Sequence, residues 1–129
     1  MLELHGNIMR SKCSVEGIEA EPREGDESVP PLCPGCGGFL RPDVVWFGEM
    51  LPHATWRAAQ HAAEECECFL VVGTSAVVFP AAGLIYEARR AGASVIEVNL
   101  EATAASEVAD VSLLGPSGQL LPEVMRRLG

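Results

Sequence analysis

Two short apolar stretches, each preceded by a helix-like stretch, constrain the fold of this chain more than any other feature. Residues 69–73 are an unbroken apolar run, typical of a strand buried on both faces, and residues 94–99 predict a second buried strand. From His53 to Cys66, apolar side chains recur at three- and four-residue spacing, which predicts a helix. Strands that alternate with helices of about ten or more residues form parallel sheets. We therefore predict an α/β fold with a parallel sheet.

The remaining elements are predicted from shorter signals. Pro80 suits the first turn of a helix that runs to about Ala91 and ends at Gly92. Residues 14–31 are acidic and rich in proline and glycine, which indicates a surface loop. The other predicted elements are strands at residues 8–12, 43–47 and 110–114 and a closing amphipathic helix at residues 120–128.

Polar residues follow both buried strands. Gly73, Thr74 and Ser75 come after the first strand, and Asn99 and Glu101 come after the second. In parallel sheets, ligands bind beyond the carboxyl ends of the strands. Each segment is also consistent with a turn followed by a helix cap, so the residues alone leave both interpretations open.

Composition excludes several classes of function. The chain has 18 acidic and 9 basic residues and a formal charge of −9, a field that repels phosphate backbones and disfavours nucleic acid as a partner. Its apolar runs are far shorter than the roughly 20 residues of a membrane span. Because no basic and apolar leader follows Met1, we expect a cytoplasmic protein with no membrane partner.

Three cysteines have spacings that suggest a metal site. Cys33 and Cys36 form a C-x-x-C pair, and Cys13 precedes them by twenty residues. Structural zinc takes four ligands, usually from two such pairs. Three residues after Cys13 stands Glu16 instead of a cysteine. Two interpretations stay open: a zinc site that Glu16 or a water completes, and a degenerate ribbon held by packing alone.

Of the three histidines, His5 has the most unusual surroundings. It stands between Leu4 and Gly6 at the boundary of a predicted element, where backbone can approach a ligand closely. His53 follows a proline at a helix start and His61 lies within the helix, so both are expected at the surface or in a cap.

The order of these motifs resembles that of the sirtuins, the Sir2-like NAD-dependent protein deacylases. Residues 40–49 read LRPDVVWFGE, and this block is highly specific. The resemblance covers essentially the whole chain and is closest in form to the bacterial deacetylase and desuccinylase branch, which also tends to have an incomplete first cysteine pair. The other matching segments are residues 4–6, the cysteine segment, and residues 72–75, 78–81 and 99–101.

The resemblance implies roles for particular residues. His5 is implied as the general base that deprotonates a ribose hydroxyl, a task that suits an imidazole with a pKa near neutrality. The implied NAD-binding residues are Gly73, Thr74, Ser75, Asn99, Leu100, Glu101 and Ser117. The implied acyl-lysine substrate residues, whose backbone pairs with the peptide as an added strand, are Val45, Phe47, Gly48, Glu49 and Val78. The implied structural zinc ligands are Cys13, Cys33 and Cys36.

The resemblance also implies how the chain is organised. Residues 8–45 are expected to form a small zinc-ribbon-like module, and residues 1–7 and 46–129 to belong to a Rossmann-like NAD-binding domain. The glycine-rich NAD loop and the Q-N-x-D segment of the family have no counterpart among the 129 residues. The chain therefore resembles the C-terminal portion only, with an incomplete sheet.

An incomplete sheet has physical consequences. A strand edge and apolar faces at Val71, Val72, Val95 and Ile96 would lack the cover of further strands. We therefore expect little or no deacylase activity from this chain alone. We also expect it to associate with itself or with a complementary N-terminal fragment.

The sequence is consistent with two functions. The first is an NAD-dependent protein-lysine deacylase, a deacetylase or desuccinylase that transfers the acyl group to ADP-ribose and releases nicotinamide. The alternative is a non-catalytic truncated remnant that binds adenosine or ADP-ribose, or that serves in assembly. A zinc-ribbon nucleic-acid module is disfavoured by the charge of −9.

Overall fold

The computed structural model describes residues 1–128. The chain divides into two compact units, the first comprising Met1–Trp56 and the second beginning at Arg57. No helix within the described residues is both long enough and apolar enough to cross a membrane.

The first unit contains one antiparallel strand pair and a long loop. Strand β1 (Gly6–Cys13) pairs with strand β2 (Leu40–Val44), and the register shifts between Asn7 and Ser11. Pro42 pairs with Ser11 next to this irregularity, a place where a residue without an amide hydrogen is tolerated in a sheet. Strand β2 therefore begins and ends three residues before the predicted strand at 43–47.

The chain leaves the ladder after β2 because it turns at the end of the predicted segment. The Glu49 amide donates to the Trp46 carbonyl at 3.0 Å, and Gly48 takes a φ of +88°. Glycine adopts this left-handed region at little cost. Residues 45–49 consequently leave the strand and turn, with the side chains of residues 46, 47 and 49 exposed, and the predicted strand at 43–47 is wrong from Val45 onward.

The second unit is a parallel three-stranded sheet with helices. Strand β4 (Ser94–Asn99) lies in the centre, with β3 (Cys68–Val72) on one side and β5 (Val111–Leu114) on the other. The predicted α/β architecture with a parallel sheet is thereby confirmed. Helix α1 (His53–Glu65) begins in the last residues of the first unit, and the second unit also contains α2 (Gly83–Ala91), α3 (Ser117–Leu128) and a 3-10 turn at Ala104–Glu107.

The predicted end of helix α2 agrees with the structure, whereas its predicted start does not. Gly92 ends the helix with a φ of +101°, and its amide bonds to the carbonyls of Ala88 and Arg89, as expected for a glycine cap. Pro80 lies in the turn before Gly83, so the predicted start is three residues early. Helix α3 begins three residues before the predicted position.

One apolar core of the second unit lies on the face of the sheet that carries Val71 and Val95. It contains the buried side chains of Val71, Ala76, Ile85, Val95 and Ala105. Removing such side chains from water is the main force that holds a sheet and its helices together. Central strand β4 is accordingly more buried than β3 or β5.

Strand β3 is only partly covered. Leu70 is 54% exposed and Val72 is 37% exposed, whereas Val71 between them is 3% exposed. The prediction that this strand is buried on both faces is therefore wrong. Because β3 lies at the edge of the three-stranded sheet, the expected open strand edge is present, and Leu70 and Val72 expose apolar area. The expectation that Val71 and Val95 lack cover is wrong, because both side chains are buried in the core of the second unit.

Candidate active site and metal centre

The carboxyl ends of the three parallel strands are linked by hydrogen bonds around Asn99. The Asn99 side-chain amide donates to the Thr74 carbonyl at 2.7 Å. The Asn99 carbonyl accepts from the Gly115 amide at 2.7 Å, and the Gly73 amide donates to the Val98 carbonyl at 3.1 Å. The segments after β3, β4 and β5 are thereby held side by side. This is the edge at which open parallel sheets bind ligands.

The predicted cofactor residues all lie at this edge. Ser117 is the first residue of α3 and is partly buried. The Asn99 side-chain oxygen accepts from the Leu100 amide at 2.9 Å, which sets the direction of the chain after β4. The exposed members of the group are Gly73, Thr74, Ser75, Leu100 and Glu101.

A buried carboxylate supports the segment that follows Asn99. The fully buried Glu97 accepts hydrogen bonds from the Thr103 and Ser106 hydroxyls, and from the Ser112 hydroxyl at 2.9 Å. Burial raises the pKa of Glu97, but the three hydroxyl donors outweigh it and hold that pKa below its usual value. The network connects β4 with the 3-10 turn and β5.

Sequence reasoning missed the Glu97 network. A glutamate inside an apolar strand, followed by threonine and serine residues, was the available signal. Thr103 also accepts from the Ala105 amide at 3.1 Å and caps the 3-10 turn. The network contributes to the site by fixing the loop that carries Leu100 and Glu101.

In the first unit, His5 lies beside the predicted substrate segment. The His5 carbonyl accepts a hydrogen bond from the Val45 amide at 3.0 Å. Its side chain is exposed, as is Phe47, which is 98% accessible. Two residues forty positions apart are thus brought together by the strand pair. The backbone of His5 therefore lies next to a segment whose large apolar side chains, Trp46 and Phe47, are exposed.

Arg41 holds this segment in shape. Its Nη2 donates to the Val44 carbonyl at 2.6 Å and to Glu49 Oε2 at 2.8 Å, and Nη1 donates to the other Glu49 oxygen. The guanidinium also lies 3.8 Å from the centre of the Trp46 ring, close enough for a cation–π interaction. One side chain therefore contacts both ends and the middle of the turn.

Glu49 is the acidic partner in this arrangement, which we call the Arg41–Glu49 clamp. Its carboxylate pairs with Arg41 and accepts from the Trp46 amide at 3.0 Å. These two interactions lower the pKa of Glu49 to about 2. Sequence reasoning assigned Glu49 to the substrate channel but did not recognise Arg41, although the arginine stands in the same LRPDVVWFGE block.

Val78 lies in the second unit, in the loop between β3 and α2. It is 46% exposed and has exposed apolar neighbours in Val77 and Phe79. The structure therefore places it on an accessible apolar surface.

The cysteine residues form a compact cluster with Glu16. One donor atom from each of Cys13, Glu16, Cys33 and Cys36 lies within 4.8 Å of the others. A zinc tetrahedron with Zn–S bonds of about 2.3 Å requires sulfur atoms roughly 3.8 Å apart. The Sγ atoms of Cys13 and Cys36 are 3.4 Å apart. The donor set therefore fits a zinc ion.

Backbone amides support the sulfur atoms. The Glu16 amide donates to Cys13 Sγ, and the Gly38 amide donates to Cys36 Sγ, each at 3.4 Å. The Glu16 amide lowers the pKa of Cys13. The Gly38 amide lowers the pKa of Cys36, but the neighbouring thiols outweigh it and raise that pKa to about 11. Thiols packed this closely cannot all ionise unless a cation offsets the repulsion between the thiolates.

Comparison with protein families identifies the chain. A sequence model described as the Sir2 family matches residues 1–80, which is more than half of the chain. The chain belongs to the Sir2 family. The resemblance inferred from residues 4–6, 40–49 and the strand ends is thereby confirmed.

Individual relatives agree with this assignment. The chain is 50% identical over 132 residues to "NAD-dependent protein deacylase 2" of Pyrobaculum aerophilum, covering 99% of this chain and 53% of the relative. It is 44% identical over 135 residues to "NAD-dependent protein deacylase 1" of Pseudomonas aeruginosa, covering 98% and 54%. The chain thus spans about half the length of the curated relatives it matches.

Solved structures of the family have the same fold. A Sir2 homologue mutant in complex with ADP-ribose matches with a TM-score of 0.89 and 38% identity, covering 98% of this chain and 51% of that one. A structure described as "Sir2 bound to acetylated peptide" also matches with a TM-score of 0.89, at 30% identity, covering 99% and 56%.

Proposed function

We propose that this chain provides part of an NAD-dependent protein-lysine deacylase, which transfers the acyl group of a modified lysine to ADP-ribose and releases nicotinamide. The observation that carries the proposal is the 50% identity, across nearly the whole chain, to a relative named as an NAD-dependent protein deacylase. Acetyl-lysine is the first substrate to test, and succinyl-lysine is the second. The acylated protein or peptide is the proposed partner.

NAD is proposed to bind at the carboxyl edge of the parallel sheet. The support is the bonded arrangement around Asn99, which presents exposed polar groups from the segments after β3 and β4. Side-chain acceptors such as Glu101 suit ribose hydroxyl donors. The proposed residues are Gly73, Thr74, Ser75, Asn99, Leu100, Glu101 and Ser117.

His5 is proposed as the general base, and residues 45–49 as part of the peptide-binding segment. The hydrogen bond between the His5 carbonyl and the Val45 amide supports a shared role, because it keeps the base next to this segment. An extended peptide gains affinity from main-chain hydrogen bonds when it adds as a strand. Val45, Phe47, Gly48, Glu49 and Val78 are the proposed contacts.

The remaining assignments are proposals of the same kind. Residues 8–45 are proposed as a zinc-ribbon-like module whose cysteine cluster is structural, with residues 1–7 and 46–129 in the NAD-binding domain. The protein is proposed to act in the cytoplasm without a nucleic-acid or membrane partner. Its open β3 edge supports self-association or pairing with a complementary fragment of the family fold.

Cofactor binding is tested by calorimetry of the chain with NAD and with ADP-ribose. We expect ADP-ribose to bind, and Glu101→Gln to weaken binding because a neutral amide is a poorer acceptor for two hydroxyl donors. Glu107→Gln is the matched control, since Glu107 is exposed in the nearby 3-10 turn. Binding of neither compound would favour a non-catalytic remnant.

Catalysis is tested by nicotinamide release from NAD in the presence of acetyl-lysine or succinyl-lysine peptides. The chain is assayed alone and joined to the part of the Pyrobaculum relative that it does not span. We expect turnover only in the joined protein, and a loss of about 10²–10⁴-fold in kcat with His5→Ala, the usual contribution of a general base. His61→Ala, which removes an exposed imidazole, is the control.

Two results would contradict parts of this proposal. A joined protein that binds NAD but releases no nicotinamide would contradict the deacylase assignment. An equal effect of His5→Ala and His61→Ala would remove the assignment of His5 while leaving the function intact.

A further inference from the structure

The two halves of the cysteine cluster have the same backbone geometry. The Cys13 amide donates to the Ile18 carbonyl at 2.8 Å, and the Gly17 amide donates back to the Cys13 carbonyl at 2.9 Å. In the second half, the Cys33 amide donates to the Gly38 carbonyl at 2.7 Å, and the Gly37 amide donates back to the Cys33 carbonyl at 2.9 Å. The loop around residue 16 therefore shares both backbone hydrogen bonds of the C-x-x-C turn.

The glycines of the two turns reinforce the equivalence. Gly17 and Gly37 occupy the same place in their turns, and their φ angles are +70° and +75°. Only glycine adopts this region readily. When the two turns are aligned, Glu16 is the counterpart of Cys36. The backbone required for a fourth ligand is present, and a carboxylate stands where a thiolate is usual.

The Glu16 side chain is directed into the cluster. Its Oε2 lies 3.8 Å from Cys33 Sγ, and one of its carboxylate oxygens lies within 4.8 Å of all three sulfur atoms. Among residues 1–128, no arginine or lysine forms an ion pair with this carboxylate. Glu16 is exposed, so water reaches its carboxylate, but its oxygen also stands with the three sulfur atoms as the fourth of four donors that a single divalent cation can bind.

We propose that Glu16 is the fourth ligand of a structural zinc site with three thiolates and one carboxylate. Zinc accepts carboxylate oxygen at about 2.0–2.2 Å, so the ion fits without rearrangement of the turns. The ligand charge equals that of a four-cysteine site, because a carboxylate and a thiolate each carry one negative charge. What changes is softness, since oxygen is a harder donor than sulfur.

The proposal separates two alternatives that the sequence leaves open. If water were the fourth ligand, residue 16 would only need to be polar and the site would carry one negative charge fewer. If packing alone held the ribbon, the turn around Glu16 would keep its backbone geometry and the chain would bind no metal.

The test uses the full chain, prepared without metal and titrated with zinc and with cobalt as a spectroscopic probe. Competition with a chelator measures affinity, and the thiolate-to-cobalt charge-transfer band reports the number of sulfur ligands. Glu16→Gln keeps the shape but removes the charge, and Glu16→Cys completes the second pair. Glu21→Gln is the control, because Glu21 is exposed in the same loop and outside the cluster.

We expect one metal ion per chain and a Glu16→Gln affinity lower by at least tenfold, since partners that merely orient ligands are already worth about 10–100-fold. Glu16→Cys should strengthen the charge-transfer band in the ratio of four sulfurs to three. Glu21→Gln should match the wild type in both measurements.

Three outcomes would overturn the proposal. They are a wild-type chain that binds no metal, a Glu16→Gln chain with unchanged affinity and spectrum, and a Glu16→Cys chain with no additional sulfur band. The last measurement also decides the question if Glu16→Gln fails to fold. Because none of these readouts involves NAD or an acyl peptide, they do not depend on the proposed deacylase function.

Discussion

In the second unit, Val71, Ile85 and Val95 anchor an apolar core between a parallel sheet and its helices, whereas in the first unit the buried cluster is Cys13, Cys33 and Leu40. Two of those three buried residues are candidate metal ligands. A cluster this small supplies little hydrophobic stabilisation, and small modules of this kind usually depend on a metal or on disulfides. We therefore expect the first unit to depend on a metal and the second on apolar packing.

Metal removal should produce the largest effect and should act on one unit only. Structural zinc contributes about 10–16 kcal/mol in zinc-finger peptides, more than any single side chain of a core. We predict that a chelator, or Cys33→Ser, exposes the amides of β1 and β2 to rapid hydrogen exchange while those of β4 stay protected.

Cys68→Ser is the control for that experiment, because Cys68 is an exposed cysteine outside the cluster. Equal loss of protection in β1 and β4 would contradict the distinction between the units. No loss in either would show that the first unit does not depend on a metal.

A cavity in the second unit should produce the next largest effect. Ile85 is 5% exposed and packs within the core, so Ile85→Ala should lower the free energy of unfolding by about 2–5 kcal/mol. Leu70→Ala removes a similar side chain from the open edge, where it is 54% exposed, and should cost much less. Urea unfolding monitored by circular dichroism compares them; similar losses would mean that β3 is covered in solution.

Glu97 should have an intermediate effect with a distinct pH dependence. Hydrogen bonds to charged groups contribute about 1.5–3 kcal/mol each, so Glu97→Gln should destabilise the second unit at neutral pH by a few kcal/mol. The folded-state pKa is depressed. The contribution is therefore present above the usual glutamate pKa and is lost as pH falls through the folded value.

Urea unfolding of wild type and Glu97→Gln between pH 7 and pH 3 measures this dependence. The two proteins should converge in stability as the pH falls. A constant difference across that range would show that the carboxylate charge does not contribute.

Substitution of Arg41 should have the smallest effect on the free energy of unfolding and should change only the local conformation of the turn at residues 45–49. Arg41→Lys keeps the charge but loses the bidentate pair of hydrogen bonds to the Glu49 carboxylate and the contact with the Trp46 ring. We predict changed Trp46 fluorescence with little change in unfolding, measured in a Trp56→Phe background. Because the pKa of Glu49 is about 2, the wild-type emission should stay constant until pH falls well below 4.

Glu49→Gln is the companion variant, since it weakens the same pairing from the other side. Its emission should resemble that of Arg41→Lys and should lose the acid transition. An unchanged Trp46 signal in both variants would show that the clamp does not hold the turn.

The course of the main chain in the second unit was predictable because it follows local periodicity. An apolar run of five residues and a helical pattern ending at Gly92 predicted the parallel strands and the end of α2. Exposure of Leu70 and Val72 was not predictable from the run itself. An apolar strand carries the same pattern whether or not a neighbour covers it.

Only part of each candidate site was predictable from the sequence. The segments after β3 and β4 stand out because polar residues follow apolar runs, and the LRPDVVWFGE block is specific enough to indicate the family. The function of Arg41 was not predictable, because its partners Val44, Trp46 and Glu49 meet only when the chain turns at Gly48. Strand β2 also ended earlier than expected for this reason.

The sequence by itself determined the parallel α/β architecture, the family and the positions of the cysteines, because these are carried by neighbouring residues or by residue order. The tertiary structure decided which distant groups meet: Asn99 with Thr74, His5 with Val45, and Glu16 with the three cysteines. Hydrogen bonds and metal coordination act over only a few ångströms. Strand register and loop geometry, which bring such residues together, are set by the packing of the folded chain.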